Sequence, residues 1–429
     1  MPAPLKVALA GLGNVGAGVV KLLDANADLI TRRAGRPIEI VAVSARDKAR
    51  DRGFDASRFH WADAATLAGI DGVDVVVELI GGSEGTALDL ARSTIASGKA
   101  FVTANKAMIA HHGLMLAEEA EKAGVALKYE AAVAGGIPVI KGLREGAAAN
   151  EITQVYGILN GTCNYILTTM EAEGRDFGDV LADAQSLGYA EADPAFDVDG
   201  IDAAHKLSIL ASLSFGTRIN FAAVKTVSIR QVLAGDIAQA KALGFRVRLV
   251  GWAEATDGGL LQTVQPCLVP VSHPLAHVAG AMNAVVAHGN FVGRLFFEGR
   301  GAGEGPTASA VVADLIDIAR GEVGPAFAMP VASLADPGQA DDGAQAGRFF
   351  LRFSVADRPG VLAEITAAMR DAGVSIESLI QRGEAPDGGV LLVMTTHECP
   401  ERNVVSALAG LSSSDSMTGK PMLMPILDV

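Results

Sequence analysis

The chain has 429 residues, half of them hydrophobic and 20% charged, which is enough for two or three domains with large cores. A formal net charge of −14 argues against a nucleic-acid surface, which needs clustered Lys and Arg. No apolar run reaches the roughly 18 residues that span a bilayer, and three scattered cysteines make no disulfide framework, so we expect a cytoplasmic protein without nucleic-acid or membrane partners.

The first 130 residues alternate strand-like and helix-like segments. Strands are predicted at 7–10, 38–43, 73–80, 101–103 and 125–129. Helices are predicted at 17–23, 87–97 and 113–123. Such alternation is typical of βαβ units that build a parallel sheet, and these sheets bind ligands at the carboxyl ends of their strands.

A glycine-rich turn follows the first strand, with the sequence Gly11-Leu12-Gly13-Asn14-Val15-Gly16. Strand, GxGxxG turn and helix in this order are typical of dinucleotide binding. Gly11 permits the tight turn, Gly13 lets the backbone approach a pyrophosphate, and Gly16 allows close packing of helix on strand. The alternative is a glycine-rich turn without a ligand.

The end of the second strand indicates which nucleotide binds. NAD-specific sites place an acidic residue there to hold the ribose 2′-hydroxyl. Here the strand ends in Ser44-Ala45-Arg46, and the nearest carboxylate, Asp47, lies beyond the arginine. The guanidinium of Arg46 suits a 2′-phosphate, which favours NADP with NAD tolerated. A solvated basic loop is the alternative.

Three polar segments in the first 210 residues are candidates for the chemistry. Lys106 follows the strand at 101–103 and is predicted to project over the carboxyl edge of the sheet, unless it is a surface lysine. Asn160-Gly-Thr-Cys-Asn-Tyr165 predicts a turn that starts a helix near Asn164. Asp202 and Lys206 share one face of a predicted helix at 200–213. Because that helix continues as an apolar segment, we expect Lys206 to be partly desolvated, which suits a general base.

The rest of the chain divides into three parts. The middle region mixes predicted helices at 200–213 and 237–243 with a strand at 245–250, and an apolar helix at 307–319 is predicted to pack back on the first domain. Residues 330–347 are rich in Ala, Asp, Gly and Pro and predict a mobile linker. Beyond it, residues 349–427 form a separate βαβ-like unit.

Together these motifs resemble the homoserine dehydrogenase family. The matching segments are Gly11–Gly16, Thr103–Lys106, Tyr129–Pro138, Gly157–Tyr165, Gly188–Lys206 and Gly301–Thr307. Each motif alone is modest evidence, but all six in this order are specific. The resemblance implies NAD(P)-dependent interconversion of L-homoserine and L-aspartate 4-semialdehyde in threonine and methionine biosynthesis.

The resemblance also implies roles for individual residues. Lys206 looks like the general acid/base on the substrate oxygen, Asp202 would orient the hydroxyl, and Lys106 would contact substrate and cofactor. Glu191 looks like the ligand of the substrate ammonium, assisted by Asp197. Further positions follow from the same motifs: Gly188 and Gly303 against the nicotinamide end of the cofactor, and the backbone oxygens of Glu130, Val133, Gly135 and Ile137 around a structural sodium ion.

The C-terminal unit resembles an ACT domain. Phe350–Ile365 contains a strand, a Pro359-Gly360 turn and a helix, and a second strand is predicted at 374–381. ACT domains pair side by side and bind amino acids at the interface. The resemblance implies feedback inhibition by L-threonine near Asp357–Val361, in a homodimer or homotetramer. A dimerisation module that binds no ligand is the alternative.

These inferences predict an α/β protein of three domains. They are a Rossmann-type NAD(P)-binding domain, an α+β catalytic and dimerisation domain, and a ferredoxin-like ACT domain. Their predicted bounds are 1–135 with a return segment at 304–325, 136–303, a linker at 326–348, and 349–429. Two other functions stay open: another amino-acid-linked NADP dehydrogenase, and a non-catalytic amino-acid sensor. An Arg cluster beside Lys206 would favour the first, and the intact polar residues argue against the second.

Overall fold

The N-terminal domain is a parallel six-stranded sheet flanked by helices. The computed structural model describes residues 2–338, 340–384 and 389–428. The strands of this domain are β1 (Leu5–Ala10), β2 (Ile38–Ser44), β3 (His60–Trp61), β4 (Val75–Glu78), β5 (Ala100–Thr103) and β6 (Leu127–Lys128). Its helices are α1 (Asn14–Ala25), α2 (Ala27–Ala34), α3 (Thr86–Ala96) and α4 (Lys106–Ala123). The strand order β3-β2-β1-β4-β5-β6 is that of a Rossmann fold.

Sequence patterns located most of these elements but missed helix α2, strand β3 and the start of α4. The strand β3 went unpredicted because it is only two residues long. Helix α4 begins at Lys106, although its start was predicted at Gly113, because the side chain of Asn105 caps it by accepting from the Met108 N–H at 3.1 Å. The cap places Lys106 directly at the carboxyl end of β5.

The middle domain is an antiparallel sheet covered by helices on one face. Its helices are α5 (Val139–Lys141), continued by a π-helical turn (Gly142–Gly146), α6 (Gly161–Glu173), α7 (Phe177–Ser186), α8 (Ala195–Val198), α9 (Ile201–Phe215), α10 (Ala234–Ala242) and α11 (Glu304–Ala319). Its strands are β7 (Ile152–Ile158), β8 (Lys225–Thr226), β9 (Phe245–Thr256), β10 (Gly259–Pro270), β11 (Met282–Gly289) and β12 (Gly293–Arg300). Helix α9 is buried from residue 202 to 213, which brings its polar first turn into the interior.

Helix α11 lies against the N-terminal domain. Its residues Ala308, Val311 and Leu315 share a hydrophobic core with β1. A Cβ on Gly18 of α1 would lie 2.7 Å from the Glu304 carbonyl, so the two helices approach as closely as a glycine permits. The N-terminus of α11 is thereby fixed beside that of α1.

The C-terminal domain has a ferredoxin-like arrangement that confirms the predicted fold class. It contains β13 (Ala346–Val355), α12 (Val361–Asp371), β14 (Ile376–Glu384), β15 (Val390–Thr396), β16 (Cys399–Pro400), α13 (Glu401–Leu411) and β17 (Met422–Ile426). The strand order is β17-β13-β15-β14, and β17 pairs in parallel with β10 of the middle domain. The Leu427 N–H donates to the Leu268 carbonyl at 2.8 Å, so the two domains share one continuous sheet.

The stretch predicted as a mobile linker, residues 330–347, is anchored at Val331 and Leu334, and the residues just before it pack into the core. The Phe327 side chain is fully buried, Val331 and Leu334 are nearly so, and the Tyr129 hydroxyl donates to the Ala326 carbonyl at 2.7 Å. Most other described residues of the stretch are exposed, and its mobility stays a prediction. None of the described helices has the length and apolar character that crossing a bilayer requires.

Candidate active site

The glycine turn after β1 has the geometry of a phosphate cradle. Gly11 adopts a φ of +106°, and a Cβ there would lie 2.6 Å from the Leu79 carbonyl. A Cβ on Gly16 would collide with the Gly11 carbonyl, so only glycine allows this packing. At Gly13, the N-cap of α1, a Cβ would meet nothing within 4 Å. The free space and the helix N-terminus together suit a pyrophosphate.

A pocket of about 660 Å³ beside this turn is lined by Gly11, Leu12, Ser44 and the exposed Arg46. Sequence patterns did not predict a role for Arg52, whose buried guanidinium connects two segments that line this pocket. Its Nε donates to the Leu12 carbonyl at 2.8 Å, and its two terminal nitrogens donate to carbonyls of the loop at 47–50. Arg52 thus ties the glycine turn to the loop after β2.

A buried carboxylate organises the loops after β4 and β5. Glu78 accepts from the Ile80 and Gly81 N–H groups at 2.6 and 2.8 Å. Its other oxygen accepts from the Thr103 hydroxyl at 2.6 Å, and that hydroxyl accepts from the Asn105 N–H at 2.9 Å. This chain of hydrogen bonds fixes the start of α4, and therefore the backbone that carries Lys106.

Two lysines and a buried aspartate form the centre of the site. Asp202, in the first turn of α9, accepts from Lys206 Nζ at 2.7 Å and from Lys106 Nζ at 2.8 Å. Lys206 Nζ also donates to the Leu159 carbonyl at 2.7 Å. Asp202 and Lys206 are almost wholly buried, whereas Lys106 is one-third exposed. One carboxylate therefore fixes two ammonium groups at the same place.

Burial and charge act in opposite directions on these groups. Burial raises the pKa of Asp202, but the charges of Lys206 and Lys106 outweigh it and hold that pKa below its usual range. Burial lowers the pKa of Lys206, Asp202 raises it, and the nearby Lys106 lowers it, with a net decrease. A lysine with a lowered pKa is suited to exchange protons near neutral pH.

A second carboxylate joins the cluster through Asn160. The Asn160 Nδ2 donates to Asp197 and to Asp202, both at 2.8 Å. Its Oδ1 caps α6 by accepting from the Cys163 N–H at 2.8 Å. The helix therefore begins at Gly161, earlier than predicted. The same Asn160 side chain lies between the carboxylates of Asp197 and Asp202 and donates to both.

A cleft of about 760 Å³ runs between the two domains and contains this cluster. Four of the five predicted catalytic and substrate-binding residues line it, Lys106, Asp197, Asp202 and Lys206, and so do the predicted residues Val15, Gly135, Gly188 and Gly303. Glu191 is an exception, because its side chain is exposed and lies outside the cleft lining. Two lining residues, Asn283 and Arg300, were not among the predicted site residues. Asn283 lies on a strand without a motif, and Arg300 ends β12 just before the Gly301–Thr307 motif.

The turn at 130–137 lies beside the cleft. Ala134 and Gly135 both have positive φ, at 56° and 53°, and a Cβ on Gly136 would lie 2.6 Å from Pro306. The Glu130 side chain accepts from the Ile140 and Lys141 N–H groups at 3.0 and 2.9 Å, so it is occupied within the protein. No cluster of His, Cys, Asp and Glu among the described residues has a metal-binding geometry. A cation at this turn would therefore depend on backbone carbonyls.

Fold and site together define the class. A Rossmann sheet with a glycine cradle faces a buried lysine–carboxylate cluster across one cleft, as expected of an NAD(P)-dependent oxidoreductase that acts on a CH–OH group. Three family models match the chain: the NAD-binding domain of homoserine dehydrogenase at 11–130, homoserine dehydrogenase at 138–316, and the ACT domain at 349–409.

Relatives extend the similarity over the whole chain. A homoserine dehydrogenase from Pseudomonas aeruginosa is 44% identical over 423 residues, which cover 97% of each chain. The crystal structure of one from Thiobacillus denitrificans matches with a TM-score of 0.93 at 42% identity, covering 99% of each chain. A hyperthermophilic archaeal homoserine dehydrogenase in complex with NADPH matches 75% of this chain and all of its own, with a TM-score of 0.65 at 25% identity. The chain belongs to the homoserine dehydrogenase family, which confirms the resemblance found in the sequence.

Proposed function

We propose that this protein interconverts L-homoserine and L-aspartate 4-semialdehyde with NADP, as a step of threonine and methionine biosynthesis. The observation that carries the proposal is the position of Lys206, Asp202 and Lys106 in the cleft that the nucleotide cradle opens into. The names of the relatives support the substrate pair.

Each residue of the cluster has a role in this reaction. Bound NADP supplies or accepts the hydride. Lys206 in its neutral form takes the hydroxyl proton of homoserine, and in the reverse direction it returns that proton to the same oxygen. Lys106 stabilises the developing oxyanion, while Asp202 orients both lysines. Burial of Lys206 favours the neutral form that the oxidation requires.

The substrate ammonium requires a negative charge in the cleft beside the two lysines and Asp202. Asp197, held by Asn160, supplies it. The role predicted for Glu191 requires the exposed segment after Gly188 to turn its side chain inward, and it stays a prediction.

Replacing Lys206 by Ala tests the assignment. We expect Lys206→Ala to lose most of its turnover with L-homoserine while it still binds NADPH. Lys99→Ala is the matched control, because Lys99 also donates to backbone carbonyls, those of Ala68 and Ile70, outside the cleft lining. Wild-type turnover in Lys206→Ala would reject the role of general acid/base.

The cofactor preference depends on Arg46. Its position on the pocket beside the glycine turn supports NADP over NAD. We expect Arg46→Ala to raise the KM for NADP and to leave the KM for NAD nearly unchanged. Equal effects on both cofactors would mean that Arg46 does not recognise the 2′-phosphate.

A structural sodium ion is proposed at the turn beside the cleft. The carbonyl oxygens of Glu130, Val133, Gly135 and Ile137 would hold it. Glu130 and Ile137 already accept backbone hydrogen bonds from Val133 and Val139, but a carbonyl oxygen has a second lone pair for a cation. Comparing thermal unfolding in sodium and in tetramethylammonium salts tests this proposal, and equal midpoints would contradict it.

The ACT domain supports regulation by an amino acid, which we propose to be L-threonine. The turn at 357–360 is anchored, since Arg358 donates to the Ser416 hydroxyl at 3.1 Å and Gly360 begins α12 with a φ of 95°. Threonine titrations of activity in the wild type and in Asp357→Ala would test this effector and its site. Absence of inhibition in the wild type would favour a domain without a ligand.

Assembly into a homodimer or homotetramer is also proposed. The hairpin between β11 and β12 exposes Phe291 by 91%, next to Val292 and Phe296, and such apolar exposure favours association. Sedimentation of the wild type and of Phe291→Ser would test whether this hairpin contributes. The cytoplasmic location stays a prediction.

A further inference from the structure

Asn283 lies in the wall of the cleft, on β11, and only 1% of it is exposed. Its Nδ2 donates to the Leu159 carbonyl at 2.9 Å, the same carbonyl that accepts from Lys206 Nζ. Turning the amide over would set its oxygen against that carbonyl oxygen. The hydrogen bond therefore fixes the positions of the nitrogen and the oxygen of the Asn283 amide. Asn283 and Lys206 are connected through the Leu159 carbonyl that both donate to.

The other end of this amide has no partner. Among the described residues nothing donates a hydrogen bond to Asn283 Oδ1, although the atom is buried. An unsatisfied buried acceptor is costly, so native proteins keep few of them. Two glycines flank the amide: a Cβ on Gly301 would collide with it, and a Cβ on Gly161 would lie 3.4 Å from Oδ1. The backbones of both glycines therefore lie close against the amide and leave its oxygen without a donor.

We propose that Asn283 binds a ligand of the reaction, its Oδ1 accepting a hydrogen bond from an N–H donor in the cleft. The inference rests on the proposed function, which supplies two such donors: the ammonium of the amino-acid substrate and the carboxamide of the nicotinamide. An oxygen acceptor repels the substrate carboxylate, and the reacting oxygen is already served by Lys206 and Lys106. The Oδ1 atom of Asn283 therefore favours an N–H donor, either the substrate ammonium or the nicotinamide carboxamide.

The test compares Asn283→Ala with Asn164→Ala in the full-length enzyme. Asn164 is a matched control because it is equally buried, donates to the backbone carbonyls of Val278 and Met282, and also has an unpartnered Oδ1, but it lies outside the cleft lining. The measurements are the KM for L-homoserine and the Kd for NADPH. A third is binding of the 3-acetylpyridine analogue of NADPH, in which a methyl group replaces the carboxamide NH₂.

Two outcomes support the inference and identify the donor. If the substrate ammonium is bound, Asn283→Ala raises the KM for L-homoserine about tenfold or more and leaves the Kd for NADPH unchanged, since a hydrogen bond to a charged group is lost. If the carboxamide is bound, the wild type prefers NADPH to its acetyl analogue about fivefold, and Asn283→Ala binds both alike. A structural role alone would not abolish that preference.

One outcome overturns the inference: Asn283→Ala changes these constants no more than Asn164→Ala does. If Asn283→Ala does not fold, Asn283→Ser takes its place in the same measurements. A wild type without L-homoserine turnover would instead refute the proposed function. The binding of NADPH and of its acetyl analogue would then still show whether Asn283 contacts the carboxamide.

Discussion

The carboxylate of Asp202 controls when Lys206 loses its proton, so Asp202→Asn is predicted to move the pH dependence of L-homoserine oxidation. Asn keeps the shape of the side chain and removes its charge. In the wild type, Asp202 raises the pKa of Lys206 against the lowering by burial and by Lys106. Without that charge, the lowering of the pKa by burial and by Lys106 is opposed only by the smaller raising effect of Asp197. The neutral base then forms at lower pH, and the acid limb of the kcat profile shifts downward.

The distance sets the size of this shift. Two unit charges 2.7 Å apart attract each other by about 6 kcal/mol at an effective dielectric constant of about 20. Water that enters the variant site and the dipole of the new amide recover part of this energy. One pKa unit corresponds to about 1.4 kcal/mol, so we expect the acid limb to move down by at least about one unit. Maximal turnover falls as well, because Lys106 and Lys206 lose their common anchor.

The assay is steady-state oxidation of L-homoserine at saturating NADP between pH 6 and 10. Asp197→Asn is the control, since Asp197 belongs to the same cluster but is bonded to Asn160 and not to Lys206. We expect it to weaken substrate binding with a smaller displacement of the limb. An acid limb that stays in place or moves to higher pH in Asp202→Asn would refute the electrostatic argument.

Three further predictions concern the cradle, the domain junction and a buried histidine. Gly13→Ala should fold normally and bind NADPH weakly, because the new Cβ meets no protein atom. Gly16→Ala should lose thermal stability, because its Cβ would collide with the Gly11 carbonyl. Equal melting temperatures of the two variants would contradict this prediction. Arg352→Leu leaves Asp236 buried without its 3.1 Å partner and should cost about 3–5 kcal/mol in urea unfolding; a loss below about 1 kcal/mol would contradict it. Burial and His111 lower the pKa of His205 from 6.5 to about 4, so the unfolded chain binds more protons between those values and stability falls as pH falls through them. His205→Gln should flatten that fall in urea midpoints at pH 6.5, 5.5 and 4.5, and an unchanged slope would refute it.

Sequence patterns predicted those features of the site that depend on residues close together in the chain. The turn at Gly11–Gly16 could be recognised because positive φ and absent side chains are properties of glycine itself. The spacing of Asp202 and Lys206 predicted a shared helix face, and the structure joins them at 2.7 Å. The start of α6 was missed because Asn160 was interpreted only as part of a turn, although its side chain caps the helix.

Other parts of the site have no local signature. Asn283 follows no motif, and it reaches Leu159 only because β11 pairs with β7. Arg52 looks like its basic neighbours until its guanidinium is found beneath the glycine turn. Just before the segment predicted to be mobile, Phe327 packs against Tyr129, an interaction between distant parts of the chain.

The sequence by itself determined the order of the domains, the nucleotide cradle and the family, because each depends on residues that are neighbours in the chain. Only the tertiary structure decided that Lys106, Asn160 and Asn283 meet around Asp202 and Lys206, and that Glu191 does not. The physical reason is that these positions follow from pairing and packing between strands and helices far apart in sequence. Such contacts depend on the whole core rather than on any periodicity of one segment.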